Sequence, residues 1–354
     1  MIAVRAPGRV NLIGDHTDYN DGFCLPLAID RACTVTGEPT DDRWMRLRSG
    51  VVDGEVVVPA DGSAEPSTVE PRWGRFVAGV VRALAERGRA PVGFGGTVES
   101  TVPPGSGLSS SSALSVALTL ALGEAGGLEL GDRVEVARAA LAGEIAATGV
   151  PGGLMDQLAS LFGVAGHALL LDCRASSVTP VALPSSHAVL VVHSGVERTL
   201  AGSAYAERRA TCEAVARRLG LPALRDATLD QVADDPIARH VVAENQRVLD
   251  FIAALDAKDV NALGPLLLAS HASLRDDYRV SIPELDLLVD LLVEHGAIGA
   301  RLTGAGFGGC VVALVQRSHA DDCAAKTVVA YQERTGRDPD AFVVRAVDGA
   351  GPIA

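Results

Sequence analysis

The sequence predicts an α+β fold, because strand-like runs and helical patterns are mixed without the regular alternation of a doubly wound sheet. The strand-like runs are short and rich in β-branched residues. They are Glu55–Val58, Ala168–Asp172, Ala188–Val192, Val311–Val315 and Phe342–Val347. The helical patterns place apolar residues three and four positions apart, which gives each a single apolar stripe. They are Trp73–Leu84, Val241–Leu255 and Ile282–Leu292.

The length of 354 residues suits two domains at the usual ~150 residues each. Hydrophobic residues make up 48% and charged residues 21%, which excludes a disordered, collagen-like or disulfide-scaffold protein. The segment Cys173–His187 is rich in Ser, Pro and Thr and separates two strand-like runs. We therefore predict an N-terminal domain over residues 1–185 and a C-terminal domain over residues 186–354.

The charge balance limits the partners of this chain. Lys and Arg total 31 against 44 Asp and Glu, a net charge of −13 at pH 7. This argues against a basic nucleic-acid surface and against a polybasic membrane patch, so an anionic ligand must be held by a local device. The longest uncharged apolar stretch, Leu108–Gly123, is too short to span a bilayer.

The N-terminus does not resemble a signal peptide, and six scattered cysteines show no C-x-x-C spacing. We expect a cytoplasmic protein with free, mostly buried thiols. The sequence leaves the oligomeric state open, and a monomer is compatible with it.

The segment Pro103–Ala113, here the first glycine loop, contains two glycines and five serines and runs directly into an apolar helical pattern. Glycine lets a backbone approach a bulky ligand, and the free N–H groups at a helix start favour an anion. Serine hydroxyls add donors and a hard oxygen suited to Mg²⁺. We predict a phosphate-binding loop, the alternative being a turn with a serine N-cap.

Two common nucleotide-binding designs are excluded. Lysine occurs only at Lys258 and Lys326, away from any glycine loop, so there is no P-loop of the G-x-x-x-x-G-K-[ST] type. The segment Thr303–Cys310, here the second glycine loop, contains G-x-G-x-x-G, but a strand-like run follows it where a dinucleotide fold requires a helix. Close packing against the first glycine loop or its ligand fits better, and a structural turn is the alternative.

Two further clusters carry charged groups. In the glycine-punctuated loop Gly8–Gly22, Asp15, His16 and Asp18 can bind several adjacent hydroxyls, as a sugar requires; a solvated turn or a metal site is the alternative. Glu144 lies near the end of a predicted helix, and Asp156 begins another after a run of glycines. A carboxylate is favoured at a helix N-terminus, so Asp156 is either a helix cap or a catalytic group.

These segments, in this order, resemble the three motifs of the GHMP small-molecule kinases and, within them, the galactokinase family. Gly8–Asn20 is similar to the family motif G-R-V-N-L-I-G-E-H-T-D-Y-N, and Gly107–Ser111 matches its serine-rich phosphate loop. Three further segments also resemble galactokinases. They are Leu200–Arg209, Ser270–Tyr278 and Arg301–Cys310. The likeness extends from Arg5 to Val315.

The resemblance implies a ribosomal-S5-like N-terminal domain and a ferredoxin-like C-terminal domain with the active site between them. It implies transfer of the γ-phosphoryl group of ATP to the anomeric hydroxyl of α-D-galactose, in galactose catabolism, with Mg²⁺. Position by position, it implies catalytic Asp156 and Arg9; sugar-binding Asp15, His16, Asp18, Gly153 and Tyr205; ATP-binding Trp73, Gly105, Ser106, Gly107, Leu108, Ser109, Ser110, Ser111 and Ser112; and the Mg²⁺ ligands Ser111 and Glu144.

Phosphoryl transfer depends on positioning and charge neutralisation, so we expect Asp156 to orient the sugar hydroxyl beside the Arg9 cation. Asp15 departs from the family, which has a longer glutamate facing C6 of the sugar. A polar group left unpaired there would cost ~1–3 kcal/mol. The alternatives are therefore a kinase for another galacto-configured sugar (arabinose, galactosamine or galacturonate) and a non-catalytic galactose and ATP sensor.

Overall fold

The computed structural model describes residues 1–196 and 201–353, the first three residues of the second range by their backbone alone. Leu200 of the segment Leu200–Arg209 therefore lies outside the described residues. No helix in the described part is both long and apolar enough to cross a membrane. All six cysteines are free, and all except Cys173 are buried.

The first sheet contains six strands and forms most of the N-terminal half. In spatial order they are Gly351–Pro352 (β13), Ile2–Asn11 (β1), Pro26–Thr40 (β3), Gly93–Ser100 (β6), Trp44–Ser49 (β4) and Glu55–Pro59 (β5). Only β4 and β6 are parallel among the pairs in this sheet that the structure describes. Four helices lie with this half: Gly74–Ala85 (α1), Ser110–Ala125 (α2), Arg133–Thr148 (α3) and Met155–Phe162 (α4). Helices α2 and α4 both pack on β1 and β3.

The second sheet is antiparallel and forms the C-terminal half with the remaining helices. Its strands, in spatial order, are Ala297–Thr303 (β10), Cys310–Gln316 (β11), His187–His193 (β9) and Asp340–Val344 (β12). The helices of this half are Ala201–Leu219 (α5), Pro236–Asp256 (α6), Val260–Asp276 (α7), Pro283–Glu294 (α8) and Ala320–Thr335 (α9). A small third sheet joins Phe23–Cys24 (β2), His167–Asp172 (β7) and Ser177–Ala182 (β8).

The uninterrupted apolar run of β11 has a structural reason. Val311, Ala313 and Val315 pack into a core with α8, whereas Val312 and Leu314 pack into a different core on the other face. A strand buried on both faces has no polar alternation. The second of these cores also contains Val10 of β1 and Phe251 of α6, so it joins the two halves of the chain.

The sequence-based elements are confirmed with local corrections. The five strand-like runs lie in strands, although the last strand ends at Val344 and leaves only an isolated bridge at Ala346. The three apolar stripes lie on α1, α6 and α8, and the first glycine loop runs into α2 as expected. Cys173–His187 contains strand β8, and Gly8–Asn11 belongs to β1 because it pairs with β3. The domain boundary at residue 185 stays a prediction. Strand β13, near the end of the chain, pairs with β1 and so belongs to the first sheet.

The contact between α1 and α3 generates the first testable prediction. Gly79 of α1 faces Gly143 of α3 so closely that a methyl group at residue 79 would overlap the Gly143 carbonyl oxygen. We expect Gly79→Ala to lower the free energy of unfolding by about 1–3 kcal/mol, because a packed core cannot absorb the added volume. Urea denaturation followed by circular dichroism measures the change.

Gly123→Ala is the matched control, since a methyl group there would meet no atom closer than 3.8 Å. Alanine is the better helix former, so this variant should be as stable as the unaltered protein or more so. Equal stability of the two variants would contradict the packing described for α1 and α3.

Candidate active site

One cavity of about 940 Å³ brings most of the predicted site residues together. It lies between the halves, since it is lined by β1, the first glycine loop, α3 and α4 on one side and by Tyr205, Gly304 and Ala305 on the other. The predicted residues that line it are Arg9, Asp15, His16, Asp18, Trp73, Gly105, Gly107, Ser109, Ser110, Ser111, Ser112, Glu144, Gly153, Asp156 and Tyr205. Ser106 and Leu108 are absent from the lining. The Ser106 hydroxyl donates to Pro103 O (2.7 Å), and Leu108 O accepts from Arg9 N (3.1 Å).

Arg9 and Asp156, which both line the cavity, form a bidentate ion pair. Arg9 Nε donates to Asp156 Oδ1 (2.8 Å) and Nη2 donates to Oδ2 (3.0 Å), while Nη1 donates to Gly107 O (2.7 Å). Ser109 Oγ donates to Asp156 Oδ2 at 2.5 Å. The pair therefore ties β1, the first glycine loop and the first turn of α4 to one another. Bidentate Arg–carboxylate pairing fixes direction as well as distance.

The first glycine loop has the backbone of an anion cradle. Gly105 and Gly107 adopt left-handed φ values of 68° and 83°, and Ser109 adopts 60°. Helix α2 begins at Ser110, and the first N–H groups of a helix have no acceptor within it. A phosphate at this point would receive those N–H groups and the positive end of the helix dipole.

Glu144 of α3 faces the start of α2. Its Oε2 accepts from Ser112 Oγ (2.9 Å) and from Gln157 Nε2 (2.7 Å). Burial raises the pKa of Glu144, and hydrogen bonding from Ser111 opposes that shift. The groups that donate hydrogen bonds to Glu144 are neutral, the nearby charge of Asp156 also raises its pKa, and the described residues give it no ion pair. Among them no cluster of three or more His, Cys, Asp or Glu residues could hold a metal by itself.

The predicted sugar-binding residues form an acidic and aromatic wall. Gly153 lies so close to Asp18 that any side chain at residue 153 would overlap the carboxylate. His16 has a left-handed φ of 66°, and its ring packs against Tyr205 with centroids 5.9 Å apart. Burial lowers the pKa of His16 well below its ordinary value, so the ring is neutral at pH 7. Its Nδ1 hydrogen-bonds the Tyr19 hydroxyl at 2.8 Å.

Asp15 is held by the C-terminal half. It is 1% exposed, and its Oδ2 lies 2.5 Å from Nη2 of Arg301, whose side chain is completely buried. Oδ1 accepts from Gly304 N of the second glycine loop (3.0 Å). Burial raises the pKa of Asp15, and the nearby charges of Arg301 and Arg9 oppose that shift. The second glycine loop thus contacts Asp15 of the Gly8–Gly22 segment directly, through the Gly304 N–H group.

Sequence reasoning missed the buried groups that support this wall. Glu244 Oε1 accepts from Gly14 N (2.9 Å), and His240 Nε2 donates to the carbonyl oxygen of Asp15 (3.2 Å). A signal was present, because Glu244 shares the apolar stripe of α6 with Val241 and Val248. A charge on a buried face requires partners, so it points to a polar contact between elements.

The position of Asp18 predicts a pH-dependent stability. Burial, followed by the neighbouring Asp156 charge, raises the pKa of Asp18 from 3.8 to about 7. Between pH 3.8 and about pH 7 the folded chain binds more protons at Asp18 than the unfolded chain does. The contribution of Asp18 to the free energy of unfolding therefore falls as pH rises. We expect Asp18→Asn to raise the free energy of unfolding at pH 8 by about 1–3 kcal/mol, and the gain to shrink toward pH 4.

Urea denaturation at pH 5 and pH 8 measures this dependence. Asp250→Asn, which removes an exposed carboxylate from α6, is the control and should change stability by less than about 0.5 kcal/mol at either pH. A loss of stability in Asp18→Asn at pH 8 would contradict the environment described for Asp18.

Comparison with protein families supports the arrangement found in the structure. The model described as GHMP kinases N terminal domain matches residues 75–164, and GHMP kinases C terminal matches residues 251–327. The model described as galactokinase galactose-binding signature matches residues 2–39. The predicted fold of two GHMP kinase parts is thereby confirmed.

Individual relatives narrow the family further. The chain is 45% identical to a galactokinase of Roseiflexus sp. (strain RS-1), over 99% of this chain and 93% of the relative. It is 44% identical to a galactokinase of Chloroflexus aggregans, over 98% and 92% of the two chains.

The solved structures agree. Lactococcus lactis galactokinase complexed with galactose superposes with a TM-score of 0.93 at 30% identity, covering 99% of this chain and 95% of that one. Methanococcus jannaschii mevalonate kinase shares the fold, with a TM-score of 0.71 at 18% identity and 98% coverage of both chains. With full-length relatives at this level of identity, the chain belongs to the galactokinase family of the GHMP kinases.

Proposed function

We propose that this protein transfers the γ-phosphoryl group of ATP to the anomeric hydroxyl of α-D-galactose, giving galactose 1-phosphate and ADP for galactose catabolism. The observation that carries the proposal is the Arg9–Asp156 ion pair. It lines the same cavity as the first glycine loop and Asp18. The two relatives named galactokinase, and the Lactococcus lactis enzyme with its galactose, support the same substrate.

The chemistry follows from the pair. Asp156 accepts a hydrogen bond from the anomeric hydroxyl. This bond orients the hydroxyl oxygen toward the γ-phosphorus. The new O–P bond forms as the bond from the γ-phosphorus to the β–γ bridging oxygen breaks, and ADP leaves. The hydroxyl proton passes to the Asp156 carboxylate, and Arg9 stabilises the charges of carboxylate and transferring phosphoryl group.

The nucleotide would lie along the first glycine loop. The N–H groups at the start of α2 suit its phosphates, and Trp73 and Phe76 of the same cavity offer apolar surface to the base. Glu144 and Ser111 would hold a Mg²⁺ ion, because a carboxylate without an ion pair and a hydroxyl are hard oxygen ligands. When bound, Mg²⁺ neutralises phosphate charge.

The sugar would lie against Asp18, His16, Tyr205 and the backbone of Gly153. Carboxylates and a neutral imidazole bind hydroxyls, and aromatic faces cover the apolar side of a sugar ring. Asp15 lines the cavity and is paired with Arg301, and its contact with the sugar stays a prediction. The intact serine loop and the formed Arg9–Asp156 pair favour an enzyme over a sensor. We propose that it acts in the cytoplasm on these small molecules, not on nucleic acid.

The direct test measures ADP release by purified protein with Mg²⁺-ATP and either D-galactose or its C4 epimer D-glucose. We expect turnover with galactose and at least ~100-fold less with glucose, because a site built to bind one hydroxyl rejects the epimer that leaves its polar groups unpaired. Galactose binding without turnover would favour the sensor. Turnover of C2- or C6-modified sugars but not of galactose would favour a related sugar kinase.

Asp156→Asn tests the proposed acceptor. The amide keeps the volume but loses the charge and cannot take the proton, so we expect kcat for galactose to fall by at least ~1000-fold. Galactose binding measured by calorimetry should persist. Asp250→Asn serves as the control and should keep full activity, since it removes an exposed carboxylate on α6. Undiminished turnover by Asp156→Asn would remove this residue from the mechanism.

A further inference from the structure

The backbone of Ser109 is unexpected for a serine. Its φ and ψ of 60° and 43° are left-handed, a conformation that side chains make unfavourable and that glycine adopts freely. The loop already uses glycine at its other left-handed positions, Gly105 and Gly107. The backbone alone would therefore favour glycine at residue 109, so the serine side chain must contribute something that glycine cannot.

That contribution is not the usual one for a serine at this point of a helix. Ser109 is the N-cap residue of α2, where a serine hydroxyl ordinarily accepts from an N–H of the first turn. Here no side-chain capping bond forms. The hydroxyl instead donates to Asp156 Oδ2 at 2.5 Å, across 47 residues of chain.

The two oxygens of Asp156 are thereby made unequal. Oδ2 receives both Arg9 Nη2 and Ser109 Oγ, whereas Oδ1 receives Arg9 Nε. The side chain of Asp156 keeps 25% of its surface exposed, so the carboxylate is held by the protein but open to the cavity. A third donor from a second direction also restricts rotation of the carboxylate about its last bond.

We propose that Ser109 is a positioning residue, which engages Asp156 Oδ2 and leaves Oδ1 to receive the sugar hydroxyl. The inference rests on the proposed function, since it takes Asp156 to be the group that orients that hydroxyl. It differs from the role that the family resemblance implies for Ser109, which is contact with ATP.

Two variants separate the hydroxyl from the backbone. Ser109→Gly removes the hydroxyl and relieves the left-handed strain, whereas Ser109→Ala removes the hydroxyl and keeps the strain. We expect both to lower kcat about 10- to 100-fold, the effect of a lost charge-assisted hydrogen bond that aligns a reacting group. KM for galactose and for ATP should change less than about threefold. The melting temperature of Ser109→Gly should equal or exceed that of Ser109→Ala.

Ser115→Ala is the matched control. Ser115 lies on the same helix, is buried, and its hydroxyl has no hydrogen-bond partner in the described part of the chain. This variant should keep kcat and both KM values. A raised KM for ATP with unchanged kcat in the Ser109 variants would assign the hydroxyl to the nucleotide and overturn the proposal. Full activity of Ser109→Gly would overturn it as well.

A melting-temperature cycle keeps this inference distinct from the proposed function. Ser109→Ala, Asp156→Ala and the double variant should change the melting temperature non-additively, because each single change removes the same hydrogen bond. Additive changes would overturn the contact itself. If the wild-type protein phosphorylates no sugar, the proposed function and the positioning role of Ser109 in catalysis are both overturned. The melting-temperature cycle would still show whether Ser109 binds Asp156.

Discussion

The ion pair between Arg9 and Asp156 is the interaction on which the site depends. Asp15, Asp18 and Asp156 all line one cavity, and burial, followed by the nearby charges of Asp156 and Asp15, raises the pKa of Asp18. Arg9 is 5% exposed and binds Asp156 through two nitrogen atoms. Because Arg9 is buried, loss of Asp156 would leave its guanidinium without a counter-charge and would lower the stability of the fold. The pair therefore fixes the positions of β1, the first glycine loop and α4 relative to one another.

The C-terminal half supplies the second constraint. Arg301 on β10 holds Asp15, and Glu244 and His240 on α6 bind the backbone of Gly14 and Asp15. The apolar core shared by Val10, Phe251 and Val312 lies beneath these contacts. Residues that would bind a sugar are thus fixed by elements from both halves, which gives the cavity a defined shape before any ligand enters. Preorganised polar groups of this kind avoid a reorganisation cost during reaction.

Much of this could be predicted from local sequence. The apolar stripes, the strand after the second glycine loop and the helix whose first turn contains Asp156 all follow from periodicity and from glycine and serine placement. The resemblance to the family motifs indicated many of the residues that line the cavity, although Ser106 and Leu108 lie outside the lining. Contacts between distant segments were not predictable, such as Arg301 with Asp15, because pairing across 286 residues leaves no local pattern. The strand in Cys173–His187 was missed because the Ser, Pro and Thr residues of that segment suggest a linker. Hydrogen-bonded pairing with β7 outweighs the low strand propensity of the segment.

The most direct test of the central claim replaces Arg9 by lysine, which keeps the positive charge but removes the fork that binds both oxygens of Asp156. The measurement is the rate of ADP formation with galactose and Mg²⁺-ATP, alongside calorimetric binding of galactose. If the geometry of the pair drives transfer, kcat falls about 100-fold while galactose binding persists. A lysine variant that turns over as fast as the unaltered protein would contradict the account, because charge alone would then suffice.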